Sequence, residues 1–432
     1  MCYAIPGKIV ELKGKIAVID YFGEHKNALN EFVNAQVGDY VYAQGGILVD
    51  KIDEDDAIPI LSFWKDRFAE LKKIDNKISK IETSKPKNEF EEIIQKAQQG
   101  NLLQKQEALT LLKTNEPEKL KLLYKTANSL RQKNLENACC VHGIIEFSNY
   151  CRNNCTYCGI RSDNKELKRY KMSPDEIVEA AVHAVKELGF KALVLQSGED
   201  TSYTTKDLVA IIKKIKQQCG VLLSMSVGQR SQNCYKEMYD AGARGVLLRF
   251  ETSNQELYKK FHKGPKANFQ ERIDLLKYLN KLGYIIATGS IIGFPNQTEE
   301  DILNDILLTK SLNAEMYSFG PLIPHPQTPL KNTELSDIDT ILKVLAVSRF
   351  IDPNSKILVT TALETLDKDS GKQRGLLAGA NSLMINVTPS RFRKQYTLYP
   401  GRPDRDKEIT KNIEETLKLL YSLGRAPTDL GI

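Results

Sequence analysis

The chain has 432 residues, 41% hydrophobic and 27% charged, the proportions of a globular protein with room for two or three domains. Its 61 Lys and Arg against 55 Asp and Glu leave a net charge of +6 on a mixed surface, with no basic stripe interleaved with aromatics, so nucleic acid is not expected as a partner. No apolar run approaches the roughly 18 residues of a membrane span, and "MCYAIPGKIV" lacks the layout of a secretory signal, so a cytoplasmic setting away from membranes is expected.

In chain order, "KIVEL", "KIAVIDY", "HKNALNE", "DYVYAQ" and "ILVDKID" read as short strands, with turn signals at Lys13-Gly14, Phe22-Gly23 and Val37-Gly38-Asp39. Even spacing of this kind predicts a small closed all-β barrel, OB-like in type. "EDDAIPILSFWKDRFAELKKID" follows as an amphipathic helix. Residues 1–75 are read as one unit, 76–87 with Pro86 as a linker, and 88–432 as a second domain that opens on helices up to about Gln132.

Beyond that point strand and helix patterns alternate. "VHGIIEFS", "KALVLQ", "VLLSMS", "GVLLRF", "YIIATGSIIG", "EMYSFG", "KILVT" and "SLMIN" are each followed by a helical segment. Ser173-Pro174-Asp175-Glu176 opens one helix with capping-box spacing, and Gly220 is read as the C-terminal cap of another. Eight such units predict an α/β fold, a TIM-type (β/α)8 barrel. In that architecture the working site lies on the loops leaving the C-terminal ends of the strands. There fall "SNYCRNNCTYCGIR", "QSGED", "RFET", "GSIIGFPNQT", "GPLIPHPQTP", "TTALET" and "NVTPSRF".

The first loop carries Cys151, Cys155 and Cys158. Eight cysteines in a reducing compartment point to metal or redox chemistry. Three thiolates suit a four-iron cluster with one iron open, because such clusters normally take four cysteines. A zinc site would need a fourth ligand, and the nearest candidate, His142, lies toward the other end of the preceding strand. Three unconnected thiols are the remaining alternative. Cys219, Cys234 and the Cys139-Cys140 pair before the first strand read as small buried thiols. His183 and His262 are placed on the surface, His325 in "PHP" is read as a loop-shaping residue, and none of the three is read as a metal ligand.

The spacing C-x3-C-x2-C, with Tyr157 before the last cysteine, resembles the radical S-adenosylmethionine (SAM) superfamily. The resemblance implies a 4Fe-4S cluster on Cys151, Cys155 and Cys158 whose open iron binds SAM, and a low-potential electron donor. It implies that Gly198 lets the backbone approach SAM, Glu199 meets its ammonium, Tyr157 packs near adenine and Glu251 meets the ribose. Arg249 and Arg272 are candidate carboxylate clamps.

Over residues from about 88 to 432, "LQSGED", "LLRFET", "GPLIPHPQTPL", "TTALET" and "ANSLMINVTPSRFRKQYTLYPG" resemble the HydE family of hydrogenase maturases. This implies that Arg249, Thr360 and Thr361 hold a substrate carboxylate, that Met384, Tyr396 and Tyr399 line the cavity, and that the substrate is a cysteine-bound iron carrying CO and cyanide, attacked at sulfur. Phe250, Glu364 and Gln229 depart from the family's pattern. A methylornithine synthase-like or biotin synthase-like enzyme on a small amino-acid-like substrate is the alternative, although no cysteine follows Cys234 to hold the second cluster of a biotin synthase. A non-catalytic iron–sulfur scaffold is a third reading. The first domain, from "MCYAIPGKIVEL" to "VGDYVYAQGGILVDKIDEDDA", resembles the HypC family of hydrogenase assembly chaperones. That implies iron contact through Cys2 and docking to other maturation proteins, with Gln44 where that family commonly has histidine.

Overall fold

The computed structural model describes residues 5–81, 85–265 and 267–431. Five short strands, β1 (Gly7–Lys13), β2 (Ile16–Tyr21), β3 (Glu24–Leu29), β4 (Tyr40–Gln44) and β5 (Ile47–Ile52), close into a barrel in the order β1-β2-β3-β5-β4. Alternation decides its interior: Ile9, Ala17, Ile19, Ala28, Val41 and Leu48 are buried together. A helix over Glu54–Ser79 follows, four residues longer than the sequence reading, and presses Trp64 onto the barrel core and against Tyr421.

The large domain is a parallel sheet built from β6 (Ala138–Ser148), β7 (Ala192–Ser197), β8 (Leu222–Ser226), β9 (Gly245–Leu247), β10 (Ile285–Thr288), β12 (Met316–Tyr317), β14 (Lys356–Ile357) and β15 (Ser382–Asn386). β11 (Ile291–Ile292) and β13 (Gly320–Pro321) pair as a separate ladder above it. β15 returns beside β6, and a bridge from Leu358 to Ser382 brings the two sheet edges together. The expected (β/α)8 topology is the observed one. One helix starts at the capping box expected from sequence, Ser173 accepting from Glu176 N, and the structure adds two more boxes at Thr204 with Asp207 and at Thr298 with Asp301.

The small barrel covers the N-terminal face of this sheet. Glu31 forms a two-point ion pair with Arg244, just before β9, at 2.7 and 3.1 Å. Tyr42 stacks under Lys191, just before β7, and Gly45 lies against Leu222 and Ile285, the first residues of β8 and β10. Gln44 is buried and donates through Nε2 to the Thr428 carbonyl at 2.6 Å, next to β16 (Ala426–Pro427), which pairs with the start of β6. Gly220 is not the helix cap expected from sequence. Cys219 ends the helix in extended conformation, and a Cβ on Gly220 would stand 2.4 Å from the Val49 carbonyl oxygen. Glycine is there because the small barrel comes so close.

A buried ionic knot ties the long helix to the large domain. Asp75 accepts from both Nη atoms of Arg131 at 2.7 Å and lies 3.4 Å from Arg425 Nε. Ser79 and Asn128 complete the set. Two guanidiniums around one carboxylate are tolerable only while that carboxylate stays. Asp75→Ala should therefore lower stability by about 3–5 kcal/mol, measured as a fall in the denaturant midpoint for equilibrium unfolding.

Candidate active site

At the C-terminal ends of the strands lies a cavity of about 320 Å³, lined by residues from the loops predicted to form it. Cys151, Cys155, Cys158, Tyr157, Gly198, Glu199, Arg249, Glu251, Arg272, Thr360, Thr361, Met384, Tyr396 and Tyr399 all face it. Cys2 lies outside the described residues.

The cysteine loop is held by partners far away in sequence. Asn154 N donates to the Lys263 carbonyl at 2.8 Å, Thr156 N to Phe261 at 2.9 Å and Gly159 N to Leu398 at 2.8 Å. Across the loop, a Cβ on Gly198 would stand 2.2 Å from the Tyr150 carbonyl oxygen and 2.9 Å from Cys151 Cβ. Gly198 thus lets the "QSGED" turn seat against the cysteine loop itself. Burial raises all three thiols above their ordinary pKa, Cys155 to about 12, and each neighbour's charge adds to the rise at Cys155 and Cys158. Three thiolates at such a place need metal charge to compensate them.

The two arginines differ sharply. Arg272 is buried and donates from Nε to Tyr258 Oη at 3.1 Å, from Nη1 to the Arg249 carbonyl at 3.0 Å, and from Nη2 to Glu199 at 3.3 Å and His262 Nε2 at 3.0 Å. With most of its five N–H groups committed, it is a brace and not the open carboxylate clamp expected from sequence. Arg249, by contrast, has Nε and Nη2 buried without hydrogen-bond partners. Its Nη2 is 3.1 Å from Glu251 Oε2, near enough to attract but not aligned to bond, and Oε2 is also unpartnered. Glu251 is held in the left-handed region at φ 71, pinned by its N–H to Gly289 and by its carbonyl to Ile291. Such a backbone costs roughly 1–3 kcal/mol and clusters at functional sites.

Glu199 is more heavily engaged than expected. One carboxylate oxygen accepts from Gln229 N at 2.9 Å and from Arg272, the other from Arg152 Nε at 3.1 Å. An ammonium at Glu199 would share it with two guanidiniums.

His262 was expected on the surface and is instead buried at the site. Its Nδ1 lies 2.8 Å from Tyr157 Oη and 3.4 Å from Cys155 Sγ. Burial and the Arg272 charge push its pKa well below the usual value, so the ring is neutral. Arg272 can only donate, so Nε2 accepts and the proton sits on Nδ1, directed toward Tyr157. His183 is exposed on its helix, while His325 is buried and its Nδ1 accepts from Gln327 N at 3.1 Å, a loop-shaping contact.

Phe250 points into the hydrophobic core, so its departure from the family pattern falls away from the cavity wall. Glu364 turns to Lys372 at 3.2 Å and lines a separate groove. Thr360 caps the short helix Thr361–Leu366, accepting from Leu363 N at 3.3 Å. Glu146 and Arg402 line the cavity and were missed. They pair at 2.8 Å, and Asn386 Nδ2 donates to the other Glu146 oxygen at 2.7 Å. A lone carboxylate inside the apolar run "VHGIIEFS" was the signal for Glu146; Arg402 offered none.

Residues 145–308 match the radical SAM superfamily, 1–64 the HupF/HypC family, and 318–425 the biotin and thiamin synthesis associated domain. The [FeFe] hydrogenase maturase subunit HydE of Thermotoga maritima is 42% identical over 305 residues, 71% of this chain and 86% of that protein. The chain belongs to the HydE family. A 3-methylornithine synthase of Methanosarcina acetivorans is 29% identical over 76% of this chain and 91% of its own length. The crystal structure of methylornithine synthase (PylB) superposes with a TM-score of 0.68 at 26% identity, over 78% of this chain and 97% of that one.

As a HydE-family radical SAM enzyme the chain works with a 4Fe-4S cluster and SAM. The residues present fit both. Three cysteines face the cavity with no fourth beside them among the described residues. The buried Glu251 Oε2 and Asn153 Oδ1, both without hydrogen-bond partners, belong to residues lining the same space, as a ligand rich in amine and hydroxyl groups requires. No helix among the described residues is long and apolar enough to cross a membrane.

The brace can be tested. Arg272→Lys keeps the charge but loses the planar fork. Deoxyadenosine formation should fall about 100-fold, as expected for a misplacement of about 1 Å, while iron content of the reconstituted protein stays that of the unmodified enzyme.

Proposed function

We propose that this HydE-family enzyme acts in the assembly of a hydrogenase cofactor, on a cysteine-bound iron carrying CO and cyanide, and that the reaction occurs at the sulfur of that substrate. When bound, the cluster and SAM supply a 5′-deoxyadenosyl radical, given one electron from an external low-potential donor. The single observation that carries the substrate assignment is the guanidinium of Arg249, which lines the same cavity as Thr360 and Thr361 and keeps Nε and Nη2 without hydrogen bonds even with Glu251 as an ion-pair neighbour at 3.1 Å. A buried guanidinium with open N–H groups can take a further carboxylate, and a cysteine ligand has one.

The chain's own residues do the rest by holding and excluding. Arg272 fixes Glu199, His262 and the Arg249 backbone in one rigid unit, so the groups facing SAM do not reorganise when it binds. His262 orients Tyr157. Burial and neighbouring negative charge keep the phenols of Tyr157 and Tyr396 well above their ordinary pKa, so both remain protonated. Met384, Leu398 and Val359 give the far wall an apolar surface that excludes water from a radical. In the fused module, Gln44 is engaged with Thr428 in docking the two domains, which supports a role in partner docking and transfer for the small barrel; iron contact there would fall to Cys2.

A second reading, a carbon-skeleton mutase on a free amino acid, has the fold similarity to methylornithine synthase in its favour. It predicts turnover of a free amino acid by the large domain without help from the first.

Anaerobically reconstituted protein given dithionite and SAM should release deoxyadenosine, and the Cys151→Ala/Cys155→Ala/Cys158→Ala variant should release none. Equal yields from the two would refute radical chemistry. Adding SAM should also shift the EPR spectrum of the reduced cluster, which a fully ligated scaffold cluster would not show. Cys2→Ala should abolish transfer to the maturation partners yet leave deoxyadenosine release at the unmodified level; loss of both together would refute the division of labour between the domains.

A further inference from the structure

The opposite end of the large barrel holds a second constellation. Side chains of β6 alternate, so Cys139, Val141, Ile145 and Phe147 enter the core outside the sheet, while Cys140, His142, Ile144 and Glu146 form the other column. Ile144 and Glu146 line the active-site cavity. Cys140 and His142 lie at the start of the same column, under the small barrel. Cys140, expected from sequence to be a small buried thiol ahead of the strand, lies within β6 and faces inward.

Asp429, from the C-terminal segment that lies along the start of β6, meets them. One ligand atom each from Cys140, His142 and Asp429 lies within 4.8 Å of the others, and all three residues are buried. His142 is 7% exposed, and its Nε2 has no hydrogen-bond partner. It stands 3.3 Å from Asp429 Oδ2, but off the line a hydrogen bond needs. Asp429 is fixed by Val141 N at 3.2 Å and by Thr428 Oγ1 at 3.0 Å, and the same hydroxyl lies 3.5 Å from Cys140 Sγ. Beside them a cavity of about 250 Å³ opens between the domains, lined among others by Gln44 and Gly45 of the small barrel and by Cys140, Lys356, Thr428 and Asp429 of the large domain.

We infer that Cys140, His142 and Asp429 bind one divalent first-row transition-metal ion at the seam between the two domains. A thiolate, an imidazole and a carboxylate together suit zinc or ferrous ion, not magnesium or calcium. Charge balances. Lys356 stands nearby but is neutralised by Glu315 at 2.7 Å, leaving the thiolate and Asp429 against the ion's two positive charges. Burial drives Cys140 toward the neutral thiol, so binding releases its proton as the metal–sulfur bond forms. Bonds of about 2.0–2.3 Å put tetrahedral ligands roughly 3.3–3.8 Å apart, so side-chain rotation of about an ångström closes the set. Among the described residues these three supply the ligand set, beside the seam cavity that Cys140 and Asp429 line. The site is independent of the radical reading, because it shares no residue with the cysteine loop.

Zinc is the probe, added to the full chain with its cluster already loaded, under anaerobic conditions. One equivalent should bind, and zinc K-edge absorption should report one sulfur with imidazole and oxygen neighbours. Cys140→Ser should remove the sulfur shell. His142→Ala and Asp429→Asn should each weaken binding more than tenfold, and zinc should raise the thermal midpoint of the unmodified protein but not of these variants. Deoxyadenosine release, measured in parallel, should be unchanged in all three, which separates failure here from failure of the radical chemistry. Absence of stoichiometric zinc, a shell of several sulfurs, or a shell without sulfur in the unmodified chain overturns the inference whatever the variants do. Unaltered affinity in the three variants overturns it equally.

Discussion

Strand β6 has a period of two, and that constraint runs through the whole molecule. Its outward residues, Cys139, Val141, Ile145 and Phe147, anchor the strand in the core beneath the helices. Its inward residues run from Cys140 and His142 at one end to Ile144 and Glu146 at the other. Four inward positions at two-residue steps of about 6.7 Å span the barrel from face to face. The strand then ends in Ser148 and leads directly into Cys151. A slip of one residue would exchange the two sets and bury an ionic column in the apolar layer.

Electrostatics in the active site divides into what the fold uses and what it leaves open. Glu199, Arg152, Arg272, His262 and Tyr157 satisfy one another through a connected network. Arg249 and Glu251 lie a few ångströms away and do not complete a hydrogen bond, although they face each other. Buried polar groups in folded proteins are normally partnered. The network therefore supplies rigidity, and the unpartnered pair marks where a ligand's own polar groups are wanted. The distinction between two arginines of identical chemistry arises wholly from their neighbours.

The small barrel's position follows from the same kind of reasoning. It sits on the N-terminal face, held by Glu31 on Arg244, Gln44 on Thr428 and the close approaches at Gly45 and Gly220. Polar pairing at this seam, and an apolar patch of Tyr42, Ile47, Val49, Ala192 and Leu222, make the two domains one packed unit there. The cysteine loop is on the opposite face.

Much of this was legible in the chain. Period-two runs fixed the five strands of the first barrel, alternation of strand and helix patterns fixed the second, and the capping box at Ser173 located one of its helix starts, because these signals are local. The cysteine spacing was read directly from the residues, and which loops share its rim followed from topology. What the chain could not disclose was every decision made by a distant neighbour. His262 is buried because the 261–263 segment hydrogen-bonds to a loop more than a hundred residues earlier. Gly220 is a contact and not a cap because Val49 stands over it. Arg272 is a brace because four partners from three segments reach it. Cys140 and His142 meet Asp429 only because the last strand returns beside the first. Sequence determines what each segment can be through short-range sterics and periodicity; which charges meet depends on closing long loops, and only the folded barrel decides that.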